Sequence, residues 1–196
     1  MRIYIRHAHK AYRNGDPPVP KDQVTSSKDL KYSYAHDPPL TSEGKKEAAF
    51  LAEELLKKYP VPTLIITSPY LRARETAIIM ARVIVKKYSP ASIQILCQNE
   101  ISEYLGNHTE ISLDVSPGTA RHRPPHPETF YRFRQRIRNH YSSWKRSKEV
   151  IWVITHGVVI NEIIRPFYSR QKVPYLGYIV AESPEEPPEL HFNKSS

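Results

Sequence analysis

Val150-Ile151-Trp152-Val153-Ile154-Thr155-His156-Gly157 is the stretch on which the fold turns. Five apolar residues in succession leave neither face of a strand for water. The run therefore reads as a central strand of a sheet covered on both sides. It ends abruptly in polar Thr-His-Gly, and a helical pattern starts just behind. The same switch occurs twice more. Residues 2–5 form a short buried strand whose Ile3-Tyr4-Ile5 runs into Arg6-His7. Thr63-Leu64-Ile65-Ile66-Thr67 is a β-branched apolar run followed by Ser68-Pro69, which reads as the N-cap and first position of a helix reaching about Lys87.

Between these strands lie helices. Ala48, Leu51, Ala52, Leu55 and Leu56 recur at helical spacing behind a start near Thr41-Ser42, and Pro60 and Pro62 stop that helix. Phe130, Phe133, Ile137, Tyr141 and Trp144 step by three and four along one helix face, with Arg134, Arg138 and Lys145 off the stripe. Ile93–Cys97 reads as a further strand, with Cys97 as a small buried residue in it, and residues 176–181 as an edge strand. Strands that alternate with helices predict an α/β fold: a three-layer α/β/α sandwich around a mostly parallel sheet. Residues 1–182 make one domain, with 8–39 and 98–127 as long loops on the substrate side. The acidic, Pro-rich tail 183–196 is expected to be loose.

The chain of 196 residues carries a net charge of +9, which favours anionic partners. Nothing in it matches a helix-turn-helix, zinc-finger or RNA-binding motif, so charge alone is a weak argument for nucleic acid. Residues 121–148 hold nine Arg/Lys and one acid, Glu128, and read as a solvated basic face. The longest apolar run, Ala77–Val85, is interrupted by Arg82, so no membrane span is expected. No signal-peptide pattern opens the chain, and its one cysteine cannot form an intrachain disulfide. An intracellular, cytoplasmic home is the expectation, with the nucleus left open.

In an open parallel sheet, ligands sit beyond the carboxyl ends of the strands. Three strands here end in Arg6-His7, in Thr67-Ser68 with Arg72 one turn on, and in Thr155-His156-Gly157. A parallel sheet would bring two histidines and two arginines to one edge. That set suits a phosphoryl group. Guanidinium forks grip tetrahedral oxyanions, helix N-termini behind Ser68 and His156 add N–H donors, and a neutral imidazole can attack phosphorus.

These residues also carry a family resemblance. Arg6-His7-Ala8 resembles the RHG motif of the histidine phosphatase superfamily, the branch of phosphoglycerate mutase-like enzymes. Asp37-Pro38-Pro39-Leu40-Thr41-Ser42-Glu43-Gly44 is similar to its D-x-x-L-T-x-x-G segment. The run from Ser68 to Ala77 is similar to its S-P-x-x-R-A-x-Q-T-A helix start. Ile101-Ser102-Glu103 stands where the family carries L-x-E, Glu128-Thr129 resembles its E-S, and Thr155-His156-Gly157 resembles its second histidine motif. The resemblance implies a metal-independent phosphatase without a cofactor. In it, His7 would form a phosphohistidine, and Arg6, Arg72 and His156 would hold the phosphoryl oxygens. Glu103 would serve as general acid and then base, a role favoured if burial lifts its pKa. Glu100 is the rival acid.

The departures from the pattern matter. Ala8 replaces the motif's glycine, and so either the turn needs no positive φ or the loop shifts. Glu75 replaces glutamine, without expected consequence. Lys10 stands three residues after His7, where it could contact substrate, and Arg13, Ser68 and Gly157 are further substrate-side candidates. Other classes stay open: an anion-binding scaffold of weak or no activity on the same fold, and last a mutase. Cys97 lacks the arginine loop of a cysteine phosphatase. His108, His122 and His126 fit a Pro-rich surface loop better than a metal site. Lys10, Arg13, Lys21, Lys28, Lys31, Arg121 and Arg123 on the two long loops suggest a polyanionic phosphorylated substrate. Oligomeric state is not readable.

Overall fold

The computed structural model describes residues 1–10, 37–88, 93–104, 128–144 and 149–192. Arg13, the other loop cations from Lys21 to Lys31, Arg121, Arg123 and the three loop histidines lie outside them.

The elements run β1 (Arg2–Arg6), α1 (Ser42–Lys58), β2 (Leu64–Thr67), α2 (Leu71–Lys87), β3 (Gln94–Cys97), a 3-10 turn (Asn99–Ile101), α3 (Phe130–Ser143), β4 (Ile151–Thr155), α4 (Gly157–Ile164), β5 (Tyr178–Ala181) and β6 (Glu189–His191). They build one six-stranded sheet in the order β3-β2-β4-β1-β5-β6. Strands β1 to β4 are parallel, while β5 runs antiparallel to β1 and β6 antiparallel to β5. β4 lies at the centre with all five residues buried, as its unbroken apolar run requires.

Alternation along the strands divides the core between the two faces. Ile3, Ile5, Ile65, Trp152 and Ile154 pack on Ala52, Leu55, Ala77, Met80 and Ile84 of α1 and α2. Tyr4, Ile66, Val153 and Ile179 pack on Phe133, Ile137, Ile160 and Ile163 of α3 and α4. Thr41 caps α1 by accepting from the Gly44 amide, and Thr129 caps α3 by accepting from the Arg132 amide.

Four local readings change. Helix α2 begins at Leu71, not Ser68, because Ser68, Pro69 and Tyr70 continue the chain past the strand end; Ser68 caps nothing. Strand β5 is not an edge, because β6 pairs outside it. That strand belongs to the tail expected to be loose, and the Tyr168 hydroxyl donates to Pro188 O at 3.1 Å just before it. Cys97 is half-buried on edge strand β3, whose Ile95 and Leu96 are exposed. Among the described residues no helix is long and apolar enough to cross a membrane.

Candidate active site

Strand pairing brings the three polar ends level. Arg6 stands opposite Thr155 in the β1–β4 pair, and Thr67 opposite Ile154 in the β2–β4 pair. Just beyond, the His7 amide donates to Thr155 O at 2.9 Å and the Ser68 amide to Ile154 O at 3.0 Å. The ladder thus sets His7, Ser68 and His156 side by side, and the two imidazole rings meet edge-on with centroids 5.2 Å apart.

His7 is held in one tautomer. Its Nδ1 lies 2.8 Å from Ala8 O, and a carbonyl only accepts, so Nδ1 carries the proton. Nε2 is then the lone-pair nitrogen, and it accepts from Arg72 Nε at 3.3 Å. Burial, then the nearby charge of Arg72, holds its pKa well below the ordinary histidine value. The ring is therefore neutral, with a nucleophilic Nε2 facing the site. His156 is fully buried, and its pKa is likewise pushed well down by burial and by Arg72. Its Nε2 lies 2.8 Å from Ser68 Oγ, and its Nδ1 lies 3.6 Å from Glu103 Oε2. The carboxylate favours the proton on Nδ1, so Ser68 donates to Nε2. The buried Nδ1 makes no hydrogen bond, which leaves a donor near Glu103 with no close acceptor.

Arg72 is the hub, and its side chain is 1% exposed. Beyond His7 it pairs with Asp37 Oδ1 at 3.2 Å and, in a short contact, with Glu103 Oε2. Its guanidinium lies over the Tyr70 ring, 4.5 Å from the centroid. Asp37 also accepts from the Leu71 amide at 2.7 and 2.9 Å, capping α2 from a distant part of the chain. Burial pushes its carboxyl up to about 6 against the pull of Arg72. Arg6 donates to Val173 O at 2.5 Å and stacks 4.1 Å from the Tyr175 centroid. A methyl on Gly157 would meet Arg6 at 3.5 Å, so α4's first turn lies directly against that side chain.

Glu103, with a side chain 29% exposed, faces Arg72 and His156, whereas Glu100 points outward from the 3-10 turn. Burial does push the Glu103 carboxyl up, as expected. The guanidinium of Arg72, with Lys10 adding to it, outweighs it, and the net pKa lies below the ordinary value. The loop is held from β4, where Thr155 Oγ1 donates to Ile101 O at 2.7 Å, and from α3. Arg136 forms a bidentate pair with buried Glu128 at 2.8 and 2.6 Å, and its Nη1 donates to Asn99 O, Glu100 O and Ser102 O at 3.1, 2.8 and 3.3 Å. The basic stretch 121–148 is thus not simply a solvated face. Arg136 turns inward, and Arg134 and Arg138 both reach Glu162 Oε1 at 3.1 Å.

Ala8 takes an ordinary φ, since among the described non-glycine residues only Leu176 is positive, at 56°. Its amide donates to Thr76 Oγ1 at 3.1 Å, and its methyl packs with Leu40 and Ala48. Gly44 explains why α1 fits so close: a Cβ there would stand 2.4 Å from His9 O. Glu75 is not idle, as it accepts from the Leu40 amide at 2.6 Å and so holds the segment after Asp37. Lys10 pairs by backbone with Leu40, and its charge acts on both Glu103 and His156.

Asp37, Thr76, Arg136 and Tyr175 were not singled out from sequence. The aspartate and threonine stood inside quoted motifs, which was a usable signal. Tyr175, whose ring centroid is 5.6 Å from that of His7, had none. Among the described residues no group of three or more His, Cys, Asp or Glu side chains is placed to hold a metal.

Known proteins bear on this geometry. No curated protein sequence matches the chain closely. Among solved structures, the ecdysone phosphate phosphatase of Bombix mori, in complex with tungstate, is 18% identical with a TM-score of 0.62, over 100% of this chain and 95% of that one. The mycobacterial glucosyl-3-phosphoglycerate phosphatase is 17% identical, TM-score 0.56, over 99% and 98%. A protein of Thermus thermophilus is 20% identical, TM-score 0.56, over 96% and 95%. These likenesses establish a shared fold. A family model described as histidine phosphatase superfamily (branch 1) matches residues 4–173. With its two histidine motifs, Arg72 and Glu103 all inside that span, the chain belongs to branch 1 of the histidine phosphatase superfamily.

Proposed function

We propose that the protein is a phosphatase that hydrolyses a phosphomonoester through a phosphohistidine on His7, without a metal or cofactor. The observation that carries this is the geometry of His7: Nδ1 is held by Ala8 O, Nε2 faces Arg72, and the His156 ring stands edge-on 5.2 Å away with an Nδ1 that makes no hydrogen bond. A phosphoryl group there would receive donors from Arg6, Arg72 and His156, with Lys10 at the rim. Ser68 acts through His156, as a positioning residue, rather than on the substrate.

In the first step Nε2 attacks phosphorus, the ester P–O bond breaks, and Glu103 gives its proton to the leaving oxygen. In the second, Glu103 takes a proton from water, the water oxygen attacks phosphorus, and the P–N bond breaks to free phosphate and restore His7. Glu103 needs a proton for the first step, yet Arg72 holds its pKa down. An arriving phosphoryl dianion removes the conflict. It competes for Arg72, and burial then dominates and lifts the carboxyl.

Hydrolysis of p-nitrophenyl phosphate with a chelator present, by the wild type and by His7→Ala, tests this. Turnover by the wild type alone is expected. Turnover that survives His7→Ala, or a wild type that binds phosphate yet hydrolyses nothing, overturns it.

A further inference from the structure

A cleft of about 450 Å³ opens beside the site. Arg6 and Glu103 line it, and so belong to both the site and the cleft. One wall is the first turn of α4, with Gly157, Val158 and Asn161, and the other is the strap 170–173. The strap is fastened at two points. Asn161 donates to Gln171 O at 2.9 Å and accepts from the Gln171 amide at 2.9 Å, while Arg6 donates to Val173 O. Lys172 lies between the fastenings and Arg170 just before them, both exposed and neither in an ion pair among the described residues.

Position along the cleft gives these cations a meaning. On the reading above, Glu103 protonates the leaving oxygen, so the cleft that Glu103 lines is where the rest of the leaving group lies. Its volume suits a group the size of a small sugar or aryl acid. Surface cations on a mobile loop would be a solvent feature, but these two are carried on a strap tied to α4 and to Arg6 itself. We infer that Arg170 and Lys172 read a second negative charge, a carboxylate or a further phosphate, on the alcohol side of the ester. This rests on the phosphatase reading for its direction. It differs from a cationic rim on the loops near residues 10–39 and 104–127, because it places specificity on the strap after α4.

Two matched pairs of probes test it: phenyl phosphate against 4-carboxyphenyl phosphate for turnover, and benzylphosphonate against 4-carboxybenzylphosphonate for binding by calorimetry. The wild type should favour the carboxylated member of each pair. The double variant Arg170→Ala, Lys172→Ala should lose about tenfold in kcat/KM and in affinity for the carboxylated probes, as two exposed charge contacts allow. It should treat the uncharged-bodied probes as the wild type does, which also shows that it folds. A double variant that weakens both members of a pair alike, or neither, overturns the inference. Phosphonate discrimination that depends on the two cations, in a protein that hydrolyses neither ester, would sustain the subsite and refute the hydrolytic reading instead.

Discussion

Arg136 touches no part of the catalytic cluster directly, yet its loss should disable it. Replacing it with methionine keeps the aliphatic stem and removes the guanidinium. Glu100 O and Ser102 O lose the Arg136 donor, Asn99 O keeps only the Ser102 amide and hydroxyl, and Glu128, 6% exposed, loses its only ion-pair partner among the described residues. Breaking a buried pair by removing one partner costs about 3–5 kcal/mol, chiefly through the charge left behind. For a chain of this length that is a Tm decrease of roughly 10 °C. The kinetic effect follows from position. Glu103 is the residue after Ser102, and a misplacement of about 1 Å can cost about a hundredfold in rate. Thermal denaturation and p-nitrophenyl phosphate turnover measure the two effects. Adding Glu128→Gln should restore much of the stability, because the stranded charge is gone, but not the activity, because the turn is still without its α3 clamp and is left to Thr155 and its own internal bonds. An Arg136→Met protein with wild-type Tm and kcat/KM within about threefold would refute the reasoning, since neither strand of it tolerates that result.

Other consequences can be checked together. Ala8→Gly, which restores the family's motif residue, should lower stability by about 1 kcal/mol and leave activity within about twofold, because Ala8 has no positive φ to relieve. Gly44→Ala should cost about 1–3 kcal/mol and reduce turnover, since its methyl would collide with the His9 backbone two residues from His7. Glu103→Gln should slow phenyl phosphate by about a hundredfold or more and p-nitrophenyl phosphate much less, because the better leaving group needs less protonation. Asp37 titrates near 6 in the folded state against 3.8 as its ordinary value, so the folded protein binds the extra proton. Its contribution is present below the ordinary value and is lost as pH rises towards 6, by roughly 3 kcal/mol at about 1.4 kcal/mol per pH unit. The buried, neutral His7 and His156 give the opposite slope in the same window, so denaturant titrations should show the Asp37 loss as the difference between the wild type and Asp37→Asn: the variant gains more stability than the wild type as pH rises towards 6.

The fold was readable wherever burial leaves a local trace. β4, β2 and β1 appear as apolar runs because both of their faces are covered, and α1 and α3 as apolar stripes because only one side is. β6 left no trace, since three residues among prolines are too short for alternation to show. The start of α2 misled for a related reason: Ser68-Pro69 has the chemistry of a cap, but the helix is capped by Asp37, 34 residues away from Leu71. In the site, His7, Arg6, Arg72 and His156 were legible because strand ends announce themselves. The clamp from Glu128 through Arg136 to the 3-10 turn was not, because nothing local distinguishes Arg136 from the other arginines of α3. The charge state of Glu103 was also out of reach. Its burial could be guessed, but the opposing pull of Arg72 depends on a contact across 31 residues.

The central claim is a covalent bond between phosphorus and His7 Nε2. Rapid quench of turnover under alkaline, denaturing conditions, followed by peptide mass analysis, would test it directly. The account predicts a phosphoryl adduct on the peptide containing His7, labile to acid, formed with a chelator present and absent from His7→Ala. Steady hydrolysis with no adduct on that peptide, or an adduct on another residue, would contradict it.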